Sequence, residues 1–305
     1  MAEQQTTVEV DGRRLVLSNL GKVLYPETGF TKGDVLDYYS RIAPTMLPHL
    51  KDRAATFLRY PDGVEGKTFY QKDVSGRSPE WVRVARLAGE GRRHGKEVND
   101  YPVIDDLPTL VWAANLAALE LHVPQWTVGP RNGRRSPDLL VFDLDPGAPA
   151  TVVECCRVAE LLREVLREDG LTPVAKTSGS KGMQLYCGVR TRRREATSEY
   201  AKDVAERLAA RRPEEIVARM AKDLRRGKVF IDWSQNNTAK TTVAPYSLRG
   251  RARPTVSTPV TWEEIEGCRE PGDLTFTSDD VLDRVDDLGD LFEEVHDQRA
   301  TLPRG

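Results

Sequence analysis

The chain has 305 residues, 39% of them hydrophobic and 30% charged, with a formal net charge of -2. That is ample material for a core, and the composition is neither disordered-like nor membrane-embedded. No apolar stretch is long enough to span a bilayer, and the start MAEQQTTVEVDGRR carries no apolar signal core, so a cytosolic address and no membrane partner are expected. Cys155 and Cys156 are adjacent while Cys187 and Cys268 stand alone, which excludes a disulfide framework and a CxxC zinc pattern. The small net charge hides an asymmetry: residues 261–305 hold 14 acids against 4 bases, leaving 33 acids against 41 bases in residues 1–260. A basic body suits a polyanionic partner, but a pI of about 6.2 keeps bulk charge from identifying a nucleic-acid binder.

In chain order, Val8–Val10 and Leu15–Leu17 flank Asp11-Gly12, a hairpin signal. Thr31 precedes a helical pattern from Asp34 to Met46. A strand is expected from Ala54 to Tyr60, and Ala88–Asp100, rich in Gly and Arg, reads as a basic mobile loop. Leu107–Leu121 has helical spacing, and Asp138–Asp143 is a short apolar strand. Thr151–Glu168 is an amphipathic helix, followed by strands at Thr172–Lys176 and Met183–Val189. Residues 196–224 read as helix interrupted at Arg211-Arg212-Pro213, then Lys228–Trp233 as strand. The acidic end shows two helical patterns, Ser278–Val285 and Leu288–Val295. There is no repeat and no low-complexity linker, so one compact unit mixing helices and strands is expected.

The strongest chemical signal is the run DLDPG, Asp143–Gly147. Alternate strand residues face the same way, so Asp143 and Asp145 project together, their Cα atoms roughly 7 Å apart, while Phe142 and Leu144 face the opposite side. Two such carboxylates repel unless a divalent cation neutralises them. Taken alone, the motif could equally open a turn. Asp232, at the end of a second strand in IDWSQNN, offers a third ligand for a two-metal site, or caps a turn. Between these acids lies TSGSKG, Thr177–Gly182, joining two strands. Its backbone N–H groups with Ser178, Ser180 and Lys181 suit phosphate oxygens, although it lacks the Walker spacing and could be a plain hairpin turn. KTTVAPYSLRGR, Lys240–Arg251, supplies further cations.

Together and in this order these motifs resemble the polymerase domain of bacterial ligase D, the end-joining branch of the archaeo-eukaryotic primase superfamily. The resemblance extends to LSNLGKVLYPETGFTKGDVLDYY (17–39), FYQKD (69–73) and PTVSTPVTWEE (254–264), covering nearly the whole chain. It implies an α+β fold, a primase-polymerase core of mixed sheets flanked by helices in a single domain over 1–305. Within it, 1–100 would carry the 5′-phosphate and template contacts, 101–260 the catalytic core and 261–305 an acidic helical segment.

The implied activity is a nucleotidyltransferase dependent on Mn2+ or Mg2+ that adds NTPs or dNTPs to a primer strand at gapped or broken DNA ends with a downstream 5′-phosphate. Ku and a DNA ligase are implied partners. By the same resemblance Asp143, Asp145 and Asp232 are the catalytic metal ligands. His122, Ser178, Lys181, Gln184, Gln235 and Arg249 take nucleotide-binding positions. Lys22 and Lys32 match a pair gripping the 5′-phosphate, and Phe69 and Tyr70 an aromatic pair stacking on template bases. One departure stands out: Gln184 replaces a histidine usual in the superfamily, so it can donate one amide hydrogen bond to a phosphate but carries no charge.

Three rivals remain open at this stage: a DxD glycosyltransferase, which leaves Asp232 and the phosphate lysines unexplained; a haloacid-dehalogenase phosphatase, whose pattern Pro146-Gly147 breaks; and a DNA-end-binding module with decayed catalysis.

Overall fold

The computed structural model describes residues 5–88 and 98–303. The chain opens on the hairpin of β1 (Gln5–Val10) and β2 (Arg13–Ser18), whose turn residues Asp11 and Gly12 have φ of 47° and 73°, the positive values a type I′ turn needs. β3 (Val23–Tyr25) and β4 (Phe30–Thr31) lead into α1 (Lys32–Leu50). Thr31 caps that helix: its hydroxyl accepts from the Asp34 amide and its own amide donates to the Asp34 carboxylate. β5 (Thr56–Arg59) lies within the expected strand, and β6 (Phe69–Gln71) pairs beside it.

β7 (Val84–Ala88) and β8 (Val98–Pro102) form an antiparallel ladder. The expected loop from Ala88 to Asp100 is thereby shortened, since Val98, Asn99 and Asp100 pair with Ala88, Leu87 and Arg86; residues 89–97 lie outside the described residues. The expected helix Leu107–Leu121 is also divided. α2 (Leu107–Asn115) stops, Ala117 takes φ 56°, and β9 (Ala118–Val123) begins. The apolar run satisfies either period; the ladder partner offered by Phe57 and Leu58 on β5 decides for strand.

β10 (Leu139–Pro146), α3 (Val152–Glu168), β11 (Val174–Thr177), β12 (Met183–Gly188) and α4 (Ala196–Arg211) follow close to expectation. Past Pro213 the expected helix is replaced by β13 (Ile216–Val217) and a 3-10 turn at Lys222–Arg225, because Ile216 pairs in parallel with Val229 of β14 (Val229–Asp232). β15 (Thr242–Val243) and β16 (Pro259–Val260) are short sheet edges. α5 (Trp262–Gly267), absent from the sequence reading, precedes α6 (Ser278–Leu288). Gly289, with φ 71°, closes α6, and of the second expected acidic helix only a 3-10 turn at Glu293–His296 forms.

Two sheets carry the architecture. The six-stranded sheet runs β13-β14-β10-β12-β11-β16, antiparallel except at β13, and the four-stranded sheet runs β15-β9-β5-β6. The first buries Phe142, Leu144, Leu185 and Ile231 against α3 and α4. The second packs Phe57, Leu119 and Leu121 against α1 and α2, with Ala244–Val256 crossing back to join this core. These are the mixed sheets and flanking helices expected of the α+β class.

Candidate active site

The six-stranded sheet sets the site by register. Asp143 on β10 pairs with Asp232 on β14 to one side and with Gln184 on β12 to the other, and Gln184 pairs with Lys176 on β11. Cross-strand partners share a face, so these four side chains form one row while Phe142 and Leu144 go into the core. Asp145 lies on the same face two residues on, exposed at the cleft mouth. Burial, the neighbouring Asp145 and, more weakly, Asp232 push the Asp143 carboxyl up to about 7, against the amide of Gln184, whose Nε2 donates to Oδ1 at 2.9 Å. Burial and Asp232 likewise raise Asp145. Among the described residues neither acid has a base within ion-pair distance, whereas Asp232 accepts from Ser234, from Gln235 Nε2 at 2.9 Å, and faces Lys240 Nζ at 3.7 Å.

The Thr177–Gly182 turn covers this row. Gly179 has φ 64°, and a Cβ there would stand 2.6 Å from the Val256 carbonyl carbon; a Cβ on Gly182 would stand 2.0 Å from the Leu144 carbonyl oxygen. Only glycine lets the turn lie this close to β10. Arg249 Nη1 donates to the Ser178 carbonyl at 2.6 Å, and Thr255 Oγ1 to the Gly179 carbonyl at 2.7 Å. Ser178 Oγ accepts from the amides of Ser180 and Gly182, so it shapes the turn, and Lys181 is exposed at the rim.

The facing wall comes from the four-stranded sheet. His122, expected at a helix end, is instead on β9, where Glu120 two residues earlier shares its face. Their Nε2–Oε2 separation is 3.0 Å. Glu120, which the sequence reading passed over, is the hub here: it accepts from the Tyr60 hydroxyl and the Gly250 amide and pairs with Arg249 Nε at 3.2 Å. Burial pushes its carboxyl up, but the His122 hydrogen bond and the Arg249 charge outweigh that and hold it near 2. Burial lowers His122 despite Glu120, whose carboxylate also has the Arg249 guanidinium beside it. Lys176, also unanticipated, is fully buried and donates to Ser257 Oγ at 2.6 Å; burial and then Arg249 drive its amine well below the usual lysine range despite Asp143.

Between the walls lies a cleft of about 420 Å³ lined by His122, Asp143, Asp145, Ser178, Lys181, Gln184, Gln235 and Arg249, together with Thr242 and Arg251. Eight of the expected residues thus meet in one cavity, and Asp232 adjoins it through Gln235 and Asp143. The remaining four lie elsewhere. Lys22 and Lys32 are neighbours, the Lys32 amide donating to the Lys22 carbonyl at 2.8 Å. Lys22 is exposed and pairs with Asp62 at 2.9 Å, while Lys32 is buried with its amine on the Ser18 carbonyl at 2.6 Å. Phe69 and Tyr70 are 42% and 63% exposed on the edge strand β6, and neither is spent on the core.

The three aspartates supply hard oxygen donors, two of them with no base at ion-pair distance among the described residues, which fits a divalent cation. They are not gathered at coordinating distance: among the described residues no three His, Cys, Asp or Glu side chains form a closed metal group, and Asp232 is turned to Ser234, Gln235 and Lys240.

An acid row on a mixed sheet faces guanidinium and ammonium groups across a cleft of about 420 Å³, chemistry suited to a divalent cation and a phosphate-bearing ligand. The family model described as LigD, primase-polymerase domain, matches residues 31–292. The chain belongs to that family. It is 43% identical over 290 residues to the multifunctional non-homologous end joining DNA repair protein LigD of Mycobacterium tuberculosis, and 31% identical over 285 residues to the bifunctional non-homologous end joining protein LigD of Bacillus subtilis. The alignments cover 93% of this chain in both cases, but only 37% and 44% of those relatives. Among solved structures, the polymerase domain from Mycobacterium tuberculosis ligase D in complex with DNA matches with a TM-score of 0.86 at 41% identity, covering 94% of this chain and 99% of that one.

Proposed function

We propose that this chain adds NTPs or dNTPs to a primer strand at DNA gaps or double-strand break ends bearing a downstream 5′-phosphate, in repair by end joining or gap filling. The observation that carries the reading is the row Asp143–Asp232 with Asp145 beside it, on the floor of a cleft whose rim is cationic. Asp143, Asp145 and Asp232 would hold Mn2+ or Mg2+, which supplies Lewis-acid activation of a primer hydroxyl and charge neutralisation on the triphosphate. Lys181, Arg249 and Arg251 face the space a triphosphate would fill, where their charges and the amides of the Thr177–Gly182 turn offset its negative charge. Glu120 keeps Arg249 directed at that space, and Gln235 restrains Asp232.

Away from the cleft, Lys22, beside the start of α1, would meet the 5′-phosphate, with Lys32 joining once its amine leaves Ser18. The exposed pair Phe69 and Tyr70 offers sequence-tolerant stacking to a template that varies in base. DNA is the macromolecular partner, Ku and a DNA ligase are the proposed protein partners, and the bacterial cytoplasm at the nucleoid is the proposed location.

Primer extension on a labelled gapped duplex with Mn2+ tests the reading. Wild type should extend, and Asp143→Ala and Asp145→Ala should not, while all three retain duplex binding, most of which comes from phosphate contacts elsewhere. Extension by either variant at the wild-type rate would overturn the assignment of the acids; DNA binding without extension by wild type would favour an end-binding module.

A further inference from the structure

Gln184 sits in the acid row beside Asp143, and its surroundings show what sets its amide. The side chain is 4% exposed and has two polar neighbours at hydrogen-bonding distance. Its Nε2 donates to Asp143 Oδ1 at 2.9 Å, and its Oε1 accepts from the Tyr186 hydroxyl at 3.1 Å. An amide can be turned either way, and the turned form would set its oxygen against the carboxylate. Tyr186 therefore matters, because it satisfies the oxygen that Asp143 repels.

The hydroxyl of Tyr186 is itself constrained. It lies 2.8 Å from Thr242 Oγ1, which accepts from Gln125 Nε2 at 2.7 Å. Each hydroxyl has one hydrogen. Tyr186 faces two acceptors, Gln184 Oε1 and Thr242 Oγ1, and its single hydrogen meets one at a time; when it meets Gln184, the Gln184 N–H is left to Asp143. Gln125, Thr242, Tyr186 and Gln184 are all 5% exposed or less, and only the carboxylate at the end of this network is more open. The ring of Tyr186 is clamped as well. Lys176 Nζ lies 5.7 Å from its centroid, and Phe292 packs edge-on at 5.2 Å. Phe292 belongs to the acidic C-terminal segment, which docks through the His49 contacts with Asp290, at 2.8 Å, and His296, at 2.7 Å.

We propose that Tyr186 is a positioning residue for catalysis: by donating to Gln184 Oε1 it fixes the amide of Gln184 so that an N–H, rather than an oxygen, meets Asp143 and holds that carboxylate oriented toward the cleft. The contact supplies a directed neutral donor beside the acid row. The inference rests on the reading of Asp143 as a catalytic carboxylate under Proposed function, so the test separates the two.

The variants are Tyr186→Phe, Thr242→Val, Gln184→Leu and the Tyr186→Phe, Gln184→Leu double variant. Tyr186→Phe keeps the clamped ring and removes one hydroxyl; Thr242→Val keeps that hydroxyl and removes the acceptor that competes with Gln184 for its hydrogen. Steady-state extension kinetics and Mn2+ binding without nucleotide or DNA, followed by titration calorimetry, are measured for each. The expected result is a fall of about tenfold in kcat for Tyr186→Phe with KM for nucleotide within about twofold, and Mn2+ binding weakened severalfold. Thr242→Val should leave Mn2+ binding at least as tight as in wild type, since the Tyr186 hydrogen then goes to Gln184 alone. The double variant should lose no more than Gln184→Leu alone, since a residue acting through another adds nothing once that one is gone. Wild-type kcat and Mn2+ affinity in Tyr186→Phe, or losses that add in the double variant, would overturn the proposal while leaving the polymerase reading intact. If Asp143→Ala extends as wild type does, the underlying reading fails instead.

Discussion

Because burial and two neighbouring carboxylates raise the Asp143 carboxyl to about 7, this residue should oppose folding at neutral pH whenever no cation is supplied, and Asp143→Asn should stabilise the protein in EDTA. The substitution is close to isosteric, and its amide oxygen can still accept from Gln184 Nε2. An acid whose folded pKa lies above its unfolded value binds more protons when folded. The cost of ionising it is absent below about pH 4, grows between about pH 4 and 7, and is fully present above 7. Each displaced pH unit corresponds to about 1.4 kcal/mol, and solvent screening in the open cleft removes part of the total, leaving about 2 to 3 kcal/mol. Denaturant melts at pH 8 in EDTA should show Asp143→Asn more stable than wild type by that amount, and the gap should close as the pH falls to 4. Added Mn2+ should raise the wild-type midpoint and leave the variant nearly unchanged. A difference that does not depend on pH, or a variant less stable than wild type at pH 8, would refute the electrostatic account of the acid row.

A second pH effect should come from the C-terminal dock. Burial, His49 and Arg53 lower the His296 imidazole to about 4, so the folded state resists protonating it. Its contribution is complete above the unfolded pKa of about 6.5 and is lost as the pH falls toward 4, worth about 3 kcal/mol in all; His296→Asn should flatten that part of the wild-type stability curve between pH 7 and 4. Gly182→Ala must push the turn off β10, because its Cβ would meet the Leu144 carbonyl; circular dichroism melts should show a loss of about 1 to 3 kcal/mol, and nucleotide KM should rise at least tenfold. Lys22→Ala should reduce the preference for a gapped duplex with a 5′-phosphate over one without, measured by fluorescence anisotropy, while leaving affinity for the unphosphorylated duplex within about twofold.

Much of this protein was legible in the sequence because its signals were local. Asp11-Gly12 specifies a hairpin turn by its own backbone preferences, Thr31 and Thr151 announce helix starts through the capping acids three residues on, and the period-2 pattern of β10 separates Asp143 and Asp145 from Phe142 and Leu144. What needed the tertiary structure were the choices made by partners distant in sequence. Ala118–Leu121 became strand because β5 and β15 flank it, and residues beyond Pro213 became β13 because β14 offers a ladder. Glu120 carries no motif, and its importance comes from Tyr60, His122, Gly250 and Arg249 being folded around it. Lys32 reads as a surface lysine until α1 and β2 bring its amine to Ser18. Gln184 reads as a weakened nucleotide contact until β12 is paired with β10, whereupon its amide is held by Tyr186 and turned to Asp143. Backbone preference and side-chain period act over a few residues and are written in the chain, whereas which buried polar groups meet depends on register and packing between strands as far apart in sequence as His122 and Val243, which no local pattern encodes.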